Sequence, residues 1–459
     1  MNKEILRLEG VTVAKGGITY LNNFSMWIKQ SEILGLLSID QQGIEQLIEL
    51  IVSNSPIKYG KVFWNEELIN DSMWTNVQTN QIHVINEKLR LIPDLTIADN
   101  VFVLRKNFKK LVINEAVLER EVQRILDEIQ ISIKADTLAK DLKPFERCVI
   151  ELVKAVVSGA KLIIVQHIDE MIGQEELARF YQLMRYYERK GIAFLCISHH
   201  HEDVFRIAER VVIYERGEIV KVLYSEQMNE ENLAPYIQKI EKHSVTRNRT
   251  NKPVLELKNV KTRNADKVDI RIYSGRCTTI LEQGHKLTGS VVPITEEGQH
   301  PFEGEVFCEG RAVKSKKEFR QLQDKIMIVP EDPTNNFLFI DQSFMYNLAF
   351  LADRKIKKSV VPARVLYSIR KEWKKVFDKY MDKVDLLEMP LADLYSLVYY
   401  KVILYRPQIV YLIQPFAGAD MNLRIHIAKL IIKLKEENIA VVLLSNYVTD
   451  ILAVADEVI

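Results

Sequence analysis

The stretch AKLIIVQHID (160–169) decides the fold together with a second stretch, RPQIVYLIQPF (406–416). Each holds a short apolar run between polar residues, which is typical of a strand buried inside a parallel sheet. The two runs lie 247 residues apart, the distance from Gln166 to Ile413. A single apolar run is common in proteins, so the segments on either side of the two runs decide whether the runs belong to a repeat.

The same spacing recurs on both sides of these runs. Downstream, FLCISHH and VVLLSNY place Ser198 opposite Ser445, and upstream LTIADNVF and QSFMYNLAF place Asn100 opposite Asn347, again 247 residues apart. Self-similarity at one fixed period indicates a duplicated structural unit. The sequence therefore predicts two copies joined by a polar linker, with the second copy cut short at its C-terminus. Their predicted bounds are 1–240 and 254–459, with the linker at 241–253.

Hydrophobic periodicity gives the order of elements within a copy. The first copy opens with β-rich sequence and continues with an amphipathic helical pattern, NEAVLEREVQRILDEIQI (114–131). Short apolar runs then alternate with amphipathic helices such as EELARFYQLMRYYERKG (175–191). Strands that alternate with helices predict a parallel sheet covered on both faces. The tyrosine-rich run at 394–405 has helical spacing and is predicted to lie in the core.

Composition narrows the class of partner. The chain has 459 residues with 63 basic and 62 acidic side chains, so its net charge of +1 favours neither nucleic acid nor an anionic membrane as the main partner. No apolar run is long enough to cross a bilayer, and the N-terminus is not a signal peptide. The four cysteines form no CxxC pair, which favours reduced thiols. We predict a cytoplasmic protein whose membrane role, if it has one, is peripheral.

Several segments resemble a known family. RLIPDLTIADNVF (90–102) is similar to the segment after the Q-loop in sugar-importer cassettes, and residues 193–220 are similar to their H-loop strand, helix and terminal hairpin. In the second copy, IMIVPEDP (326–333) and residues 406–420 resemble the VPEDR and Walker B regions of the second cassette in those proteins. The chain thus resembles the tandem-cassette ATP-binding subunit of ribose- and galactose-type sugar ABC importers.

The resemblance implies an α/β fold of two P-loop-NTPase-like ABC cassettes. Each would have a parallel sheet flanked by helices, an antiparallel β-subdomain and a helical subdomain. It also implies ATP and Mg²⁺ as ligands, held between two copies that pair head to tail, and a membrane permease as the partner.

The phosphate loop of the first copy departs from the family. A Walker A loop, GxxxxGK[ST], needs backbone N–H groups and a Lys for phosphate oxygens, and a hydroxyl for Mg²⁺. In SIDQQGIEQLIELI (38–51), Gly43 is kept, Ile44 takes the Lys position and Glu45 takes the hydroxyl position. Each missing charge-assisted hydrogen bond removes roughly 1.5–3 kcal/mol. We therefore predict that triphosphate binds weakly here or not at all.

The second copy and the Q-loop depart in the same way. LEQGHKLTGSVV (281–292) holds Lys286 and Thr288, but not in the GK[ST] order. These two residues are remnant phosphate-loop positions, where a bound phosphate remains an open alternative. The Q-loop glutamine position is matched by Glu87, and the aromatic residue that stacks on adenine in relatives is matched by Lys15.

Walker B needs one carboxylate for Mg²⁺ and a second to polarise the attacking water. The matching positions are Gln166 and His167 in the first copy, and Ile413 and Gln414 in the second. Asp169 and Glu170 lie a turn away and could substitute only if the strand end were rearranged. Neither DLKPFER (141–147) nor PLADLYSLVYY (390–400) has the paired glycines of the LSGGQ signature.

His199 matches the H-loop histidine that contacts the γ-phosphate in active relatives. With His200 and His201 it could suggest a metal site, but adjacent side chains diverge, so no metal is predicted. His167 beside Glu170 could form an acid/base pair, although a strand-end histidine bonded to a neighbour is the favoured interpretation.

Three functions are consistent with these residues. The leading hypothesis is a pseudo-ATPase that serves as scaffold or regulator in a sugar-uptake or sugar-sensing assembly. It would bind the permease of a sugar importer or a regulatory protein, with cassettes pairing within the chain or with another copy. The first alternative is a divergent but active ATPase that energises monosaccharide import. The second is a soluble adaptor that binds a signalling protein or an active cassette subunit.

Overall fold

The structure is a computed structural model that describes most of the chain. Two compact units, residues 1–238 and 239–459, divide it, and each is described by itself as the N-terminal or the C-terminal unit. The described residues are 3–70, 81–86, 90–102, 114–236, 252–261, 268–281, 303–351, 361–382, 385–445 and 451–459.

Two sheets make up the β-structure of the N-terminal unit. Its described strands are β1 (Glu4–Lys15), β2 (Ile18–Lys29), β3 (Ile33–Ser38), β4 (Tyr59–Trp64), β5 (Glu67–Leu68), β6 (Ile82–Ile85), β7 (Leu162–Gln166), β8 (Ala193–Ser198), β9 (Arg210–Glu215) and β10 (Glu218–Tyr224). An antiparallel sheet has the order β2-β1-β4-β5, and a larger sheet has the order β10-β9-β3-β8-β7-β6.

The larger sheet is parallel from β6 to β9, and only its edge strand β10 runs antiparallel to its neighbour. Strands β3 and β8 are buried along their whole length. Burial on both faces explains why they read as unbroken apolar runs instead of alternating ones. The prediction that LIIVQ and FLCIS form parallel strands is confirmed.

Helices of the N-terminal unit connect and cover these strands. Those described are α1 (Ile44–Ser53), α2 (Ile97–Phe102), α3 (Glu115–Glu128), α4 (Pro144–Val157), α5 (Gln174–Glu188), α6 (His201–Ile207) and α7 (Glu230–Leu233), with 3-10 turns at Ala139–Asp141, Ile168–Glu170 and Ser225–Gln227. The amphipathic pattern predicted a helix over 114–131, and α3 forms there with Leu118, Val122 and Leu126 facing the core.

The C-terminal unit repeats the two-sheet plan. Its described strands are β11 (Pro253–Lys261), β12 (Val268–Tyr273), β13 (Cys277–Leu281), β14 (Glu303–Cys308), β15 (Arg311–Ala312), β16 (Ile326–Val329), β17 (Ile409–Ile413), β18 (Ala440–Ser445) and β19 (Glu457–Val458). An antiparallel sheet has the order β12-β11-β14-β15, and a parallel sheet has the order β16-β17-β18-β13-β19.

Six described helices accompany these strands: α8 (Lys316–Gln323), α9 (Pro333–Asn336), α10 (Phe344–Ala349), α11 (Ala363–Phe377), α12 (Leu391–Tyr405) and α13 (Met421–Glu436), with a 3-10 turn at Asp378–Tyr380. The tyrosine-rich run lies in α12, where Tyr395, Tyr399, Tyr400 and Tyr405 are buried. The prediction that this run belongs to the core is confirmed.

Strand register is the same in the two units. In the N-terminal unit β7 pairs with β8 so that Gln166 lies opposite Ile197. In the C-terminal unit β17 pairs with β18 so that Ile413 lies opposite Leu444. Both pairs differ by 247 residues, so the spacing seen in the sequence is also the spacing of the hydrogen-bonded ladder.

Candidate functional site

The loop after β3 turns into α1 through a glycine with left-handed backbone. Gly43 has a left-handed φ of 82° and precedes α1. A Cβ there would lie 2.2 Å from the Tyr20 carbonyl oxygen and 2.5 Å from the Tyr214 hydroxyl, so both the conformation and the space require glycine. Tyr214 donates its hydroxyl hydrogen to the Gln42 carbonyl and thereby holds the loop.

A carboxylate of the chain itself lies in this loop. Asp40 accepts the backbone N–H of Gln42 at 3.0 Å through one oxygen. Its other oxygen accepts the backbone N–H of Arg216, from the β9–β10 turn, at 2.9 Å. Backbone N–H groups of such a loop are the donors that hold phosphate oxygens in P-loop proteins. Here one of these groups, the N–H of Gln42, is bonded to the carboxylate of Asp40.

The next two positions fit a helix better than a phosphate. Ile44 begins α1 and its side chain is buried in the core with Leu47 and Leu50. Glu45 is exposed in the first helical turn. A carboxylate there interacts favourably with the helix dipole, by about 0.3–1 kcal/mol, and would repel a second anion. Gly43, Ile44 and Glu45 therefore lie together, and of the three only Gly43 has the residue type that a phosphate loop requires.

Two histidines meet at the carboxyl ends of β3, β7 and β8. His199 follows β8, and its Nδ1 lies 3.0 Å from both the hydroxyl and the carbonyl oxygen of Ser38. Because a carbonyl only accepts, we assign the proton to Nδ1, which donates to Ser38. The His167 ring stacks on the His199 ring with centroids 4.4 Å apart. The structure thus brings His167 and His199 together, next to the end of β3.

Asp169 does not occupy the Walker B position. Its side chain is buried, accepts the Ser198 hydroxyl at 3.0 Å and lies 3.6 Å from His200 Nε2. Close by, burial and the Asp169 charge raise the pKa of the Asp203 carboxyl to about 7. These groups form a buried polar cluster beneath the strand ends, so Asp169 is already bonded within the fold.

The described residues fit a magnesium–triphosphate group poorly. Gln166 ends β7 and His167 follows it, at the two positions where carboxylates would be needed. An amide can accept one hydrogen bond from water but supplies no charge to Mg²⁺, which prefers carboxylate oxygens. Within the described ranges no group of three metal-binding side chains comes together.

Part of the predicted site can be followed in the C-terminal unit. Gln414 follows β17 with a left-handed φ of 46°, and its N–H donates to the Leu444 carbonyl at 2.9 Å. His167 has a φ of 51° and donates its N–H to Ile197 at 2.9 Å. The two strand ends therefore share one backbone geometry.

The predicted positions Glu87, Lys286 and Thr288 lie outside the described residues, and Lys15 is exposed near the β1–β2 turn.

A buried asparagine clasps the main chain in each unit, which sequence reasoning aligned but gave no role. The Asn100 amide nitrogen donates to the carbonyls of Ile92, Leu95 and Thr96 at 3.0–3.3 Å, and its oxygen accepts the N–H of Ile92 at 2.7 Å. The buried amide thus fixes the turn that leads into α2.

The same arrangement, in which a buried asparagine amide bonds both the N–H and the C=O of one main-chain residue and which we call a clasp, recurs 247 residues further along in the C-terminal unit. The Asn347 amide nitrogen donates to the carbonyls of Phe339, Gln342 and Ser343 at 2.8–3.2 Å, and its oxygen accepts the N–H of Phe339 at 2.8 Å. Four bonds with the same pattern in two units make the clasp the strongest structural signature of the repeat.

A buried lysine joins the same segment to the following helix. Lys154 on α4 donates to the Arg90 carbonyl at 3.1 Å, and Lys401 on α12 donates to the Phe337 carbonyl at 3.0 Å. Both side chains are only 2% exposed. In the sequence, these contacts are indicated by the lysine inside each of the largely apolar runs VIELVKAVV and LVYYKVILY, since a buried cation needs a fixed partner.

The plan of each unit is the one that the predicted fold class requires. Each unit joins a helix-flanked parallel sheet to an antiparallel β-sheet and further helices. The predicted fold class is confirmed.

Relatives specify the class further. The chain is 20% identical over 99% of its length to the ribose import ATP-binding protein RbsA of Caldanaerobacter subterraneus subsp. tengcongensis, of which the match covers 94%. It is 21% identical over 100% of its length to the xylose import ATP-binding protein XylG of Pseudomonas fluorescens, covering 92% of that protein. The galactose/methyl galactoside import ATP-binding protein MglA of Fusobacterium nucleatum is 21% identical, with 99% and 93% coverage.

The chain is therefore similar over nearly its whole length to the tandem-cassette ATP-binding subunits of sugar importers, and the resemblance seen in the sequence is confirmed. A nucleotide-free ATP-binding cassette from an ABC transporter superposes with a TM-score of 0.43 at 17% identity, over 51% of this chain and all of that one. No family model matches the chain. In the described part of the chain no helix is both long and apolar enough to span a bilayer.

Proposed function

We propose that this chain is the cassette subunit of a sugar ABC import system and acts as a pseudo-ATPase, that is, as a docking scaffold or regulator. The proposal combines two supports. Its relatives are sugar-import ATP-binding proteins along nearly their full length. Its described phosphate-handling positions, in contrast, carry side chains with the wrong charge for a magnesium–triphosphate group.

The Asp40 contact is the observation that carries the nucleotide part of the proposal. A phosphate entering the loop after β3 would have to displace an internal carboxylate from the N–H of Gln42 and pass the Glu45 carboxylate. With Ile44 in place of lysine, the loop lacks the lysine that would offset this repulsion. A charge-assisted hydrogen bond contributes about 1.5–3 kcal/mol, so losing the lysine alone weakens binding by a factor of ten or more.

The two clasps carry the docking part. Each holds an exposed apolar residue by its own N–H and C=O: Ile92, which is 45% exposed, and Phe339, which is 43% exposed. Around Phe339 the exposed rings of Tyr346 and Phe350 lie with centroids 6.1 and 4.6 Å away. Exposed apolar groups on a rigid main chain suit a partner surface. We assign a membrane permease as that partner.

Calorimetry with ATP and ADP tests the nucleotide part. The wild-type chain, titrated to millimolar nucleotide with and without Mg²⁺, should give no saturable heat. The Ile44→Lys/Glu45→Ser variant restores the missing cation and hydroxyl, and the Asp40→Asn variant removes the internal anion. Gain of binding in the combined variant would assign the loss to these side chains. Micromolar, Mg²⁺-dependent binding by the wild-type chain would instead favour an active importer ATPase.

Co-purification with a detergent-solubilised sugar-importer permease tests the docking part. The wild-type chain should be retained, and the Phe339→Asp variant should lose about tenfold or more in affinity, since it places a charge at the centre of an apolar contact. The Tyr59→Asp variant is the matched control, because Tyr59 is also an exposed ring but lies on the antiparallel sheet of the N-terminal unit. Equal retention of all three proteins would contradict docking through the clasped residues.

A further inference from the structure

The near-zero net charge of the chain conceals a charge difference between its units. Residues 1–238 contain 28 basic and 34 acidic side chains, a net charge of −6. Residues 239–459 contain 35 basic and 28 acidic side chains, a net charge of +7. A net charge averaged over both units is therefore a poor guide to partners, because charge acts over about 8–10 Å at physiological salt.

Helix α11 holds much of the basic excess. It has five basic residues and one acidic residue, a net charge of +4 over Ala363–Phe377. The repeat-equivalent helix α3 has a net charge of −3 over Glu115–Glu128. At the shared spacing of 247 residues, Asp127 and Glu128 in α3 correspond to Lys374 and Lys375 in α11. The two helices occupy equivalent places in the fold and have opposite charge.

The basic side chains of α11 point away from the core. Ile369, Trp373 and Phe377 are buried on one side of the helix. Arg364, Lys371 and Lys375 are separated by seven and four residues, so they form one stripe, and at 100° per residue this stripe lies opposite the buried side.

Most of the charge on this stripe is not neutralised locally. In the described residues no carboxylate lies within 4 Å of Arg364, Lys371 or Lys375, whereas Lys374 has Asp378 at 3.8 Å. Tyr367 lies on the same side of the helix and is 69% exposed. An exposed aromatic ring among long basic side chains is typical of surfaces at the membrane–water interface, because the ring and the basic side chains both place apolar and polar groups at the depth of the headgroups.

We propose that the exposed stripe of α11, formed by Arg364, Tyr367, Lys371 and Lys375, binds the anionic headgroups of a lipid bilayer. The apolar side of α11 is already buried in the core, so the helix lies on the bilayer without inserting into it. The interaction is electrostatic, and each basic side chain near an anionic membrane contributes about a fivefold gain in partitioning. This inference goes beyond the proposed function, because it requires neither nucleotide nor permease.

Vesicle flotation of the full chain tests the inference. Phosphatidylcholine vesicles with phosphatidylglycerol should bind the chain, pure phosphatidylcholine vesicles should not, and added salt should release it. The Lys371→Glu/Lys375→Glu variant should bind at least about 25-fold more weakly. The matched control is Arg120→Glu/Arg124→Glu on α3, which changes the charge of the chain equally and should leave binding nearly unchanged. Circular dichroism checks that both exposed double variants fold.

Four outcomes would overturn the inference. They are equal binding to both kinds of vesicle, binding that salt does not weaken, equal loss in both double variants, and binding to soluble polyglutamate as tight as to anionic vesicles. The last outcome would assign the stripe to an acidic protein partner. Because the vesicles contain no protein and no nucleotide, none of these outcomes depends on whether the pseudo-ATPase proposal holds.

Discussion

The clasped segments and the strand ends differ in what they share between the two units. At the clasps, the same side chains make the same bonds twice, through Asn100 and Asn347 and through Lys154 and Lys401. At the strand ends only the backbone agrees: His167 and Gln414 have the same left-handed conformation but different chemistry. The comparison teaches that two strand ends can share a main-chain conformation while their side chains differ in chemistry.

Burial explains the difference. Each clasping asparagine is buried and supplies the acceptor for a main-chain N–H, that of Ile92 or Phe339, and leaving such a donor unsatisfied costs about 1–3 kcal/mol. At the strand ends the main-chain bonds of His167 and Gln414 are made by their own N–H groups, so a change of side chain leaves these bonds in place. The fold therefore constrains the clasps strongly and the phosphate-handling positions weakly, and four predictions test this contrast.

The largest expected effect is at the clasps. Asn100→Ala and Asn347→Ala should each lower the free energy of unfolding of their unit by about 3–5 kcal/mol, since each removes the four bonds of a fully buried amide. Urea denaturation of the full chain, with hydrogen exchange to assign each transition to its unit, measures the loss. Asn→Asp variants keep the acceptor and lose the donor, so they separate the two contributions. A cost below about 1 kcal/mol at both sites would refute the contrast.

A pH-dependent effect is expected at Lys401. Burial lowers the pKa of its ammonium to about 8, below the value of about 10.4 expected for the unfolded chain. Between these values the unfolded state binds more protons, so the stability of the wild-type chain rises with pH. Relative to Lys401→Met, the wild-type chain should gain about 2–3 kcal/mol between pH 7 and pH 10. Denaturation at both pH values measures this, and parallel curves for the two proteins would contradict it.

The stability that Asp203 contributes should change with pH in the opposite direction. Its pKa is raised to about 7 by burial and by Asp169, against about 3.9 in the unfolded chain. The folded state then binds more protons between these values, so the stability it contributes at low pH is lost as the pH rises through 7. Asp203→Asn should remove this loss and raise stability at pH 8 by about 1–3 kcal/mol relative to the wild-type chain. Asp136→Asn, an exposed change, is the control.

The smallest effect concerns equivalent helix caps. Asp420 caps α13 by accepting the N–H of Leu423 at 2.8 Å, and Asp420→Ala should cost about 1 kcal/mol. Its counterpart 247 residues earlier is Gly173, which caps α5 without a side chain and has open space where a Cβ would lie. Gly173→Asp should therefore stabilise the N-terminal unit by a few tenths of a kcal/mol. Thermal unfolding would show both changes, and a loss at Gly173→Asp would contradict the equivalence.

The strands and the repeat could be predicted because apolar runs and a fixed spacing can be read directly from the order of the residues. Sequence reasoning also identified the changed residues at the phosphate loop, where Gly43, Ile44 and Glu45 are contiguous. It missed the contact between Asp40 and the β9–β10 turn, because the partner N–H belongs to Arg216, which lies 176 residues away. It also missed the roles of Lys154 and Asn100, because nothing in a linear pattern shows which carbonyl a buried donor will meet.

The sequence by itself determined the duplicated architecture, its similarity to sugar-import cassettes, and the absence of the usual charged residues at Ile44 and Gln166. These follow from residue identity and spacing alone. Only the tertiary structure decided that Asp40 bonds to the Arg216 N–H, that His167 stacks on His199, and that the basic residues of α11 form one exposed stripe. The physical reason is that a hydrogen bond, a ring stack or a surface patch depends on which distant segments the fold brings within a few ångströms of each other.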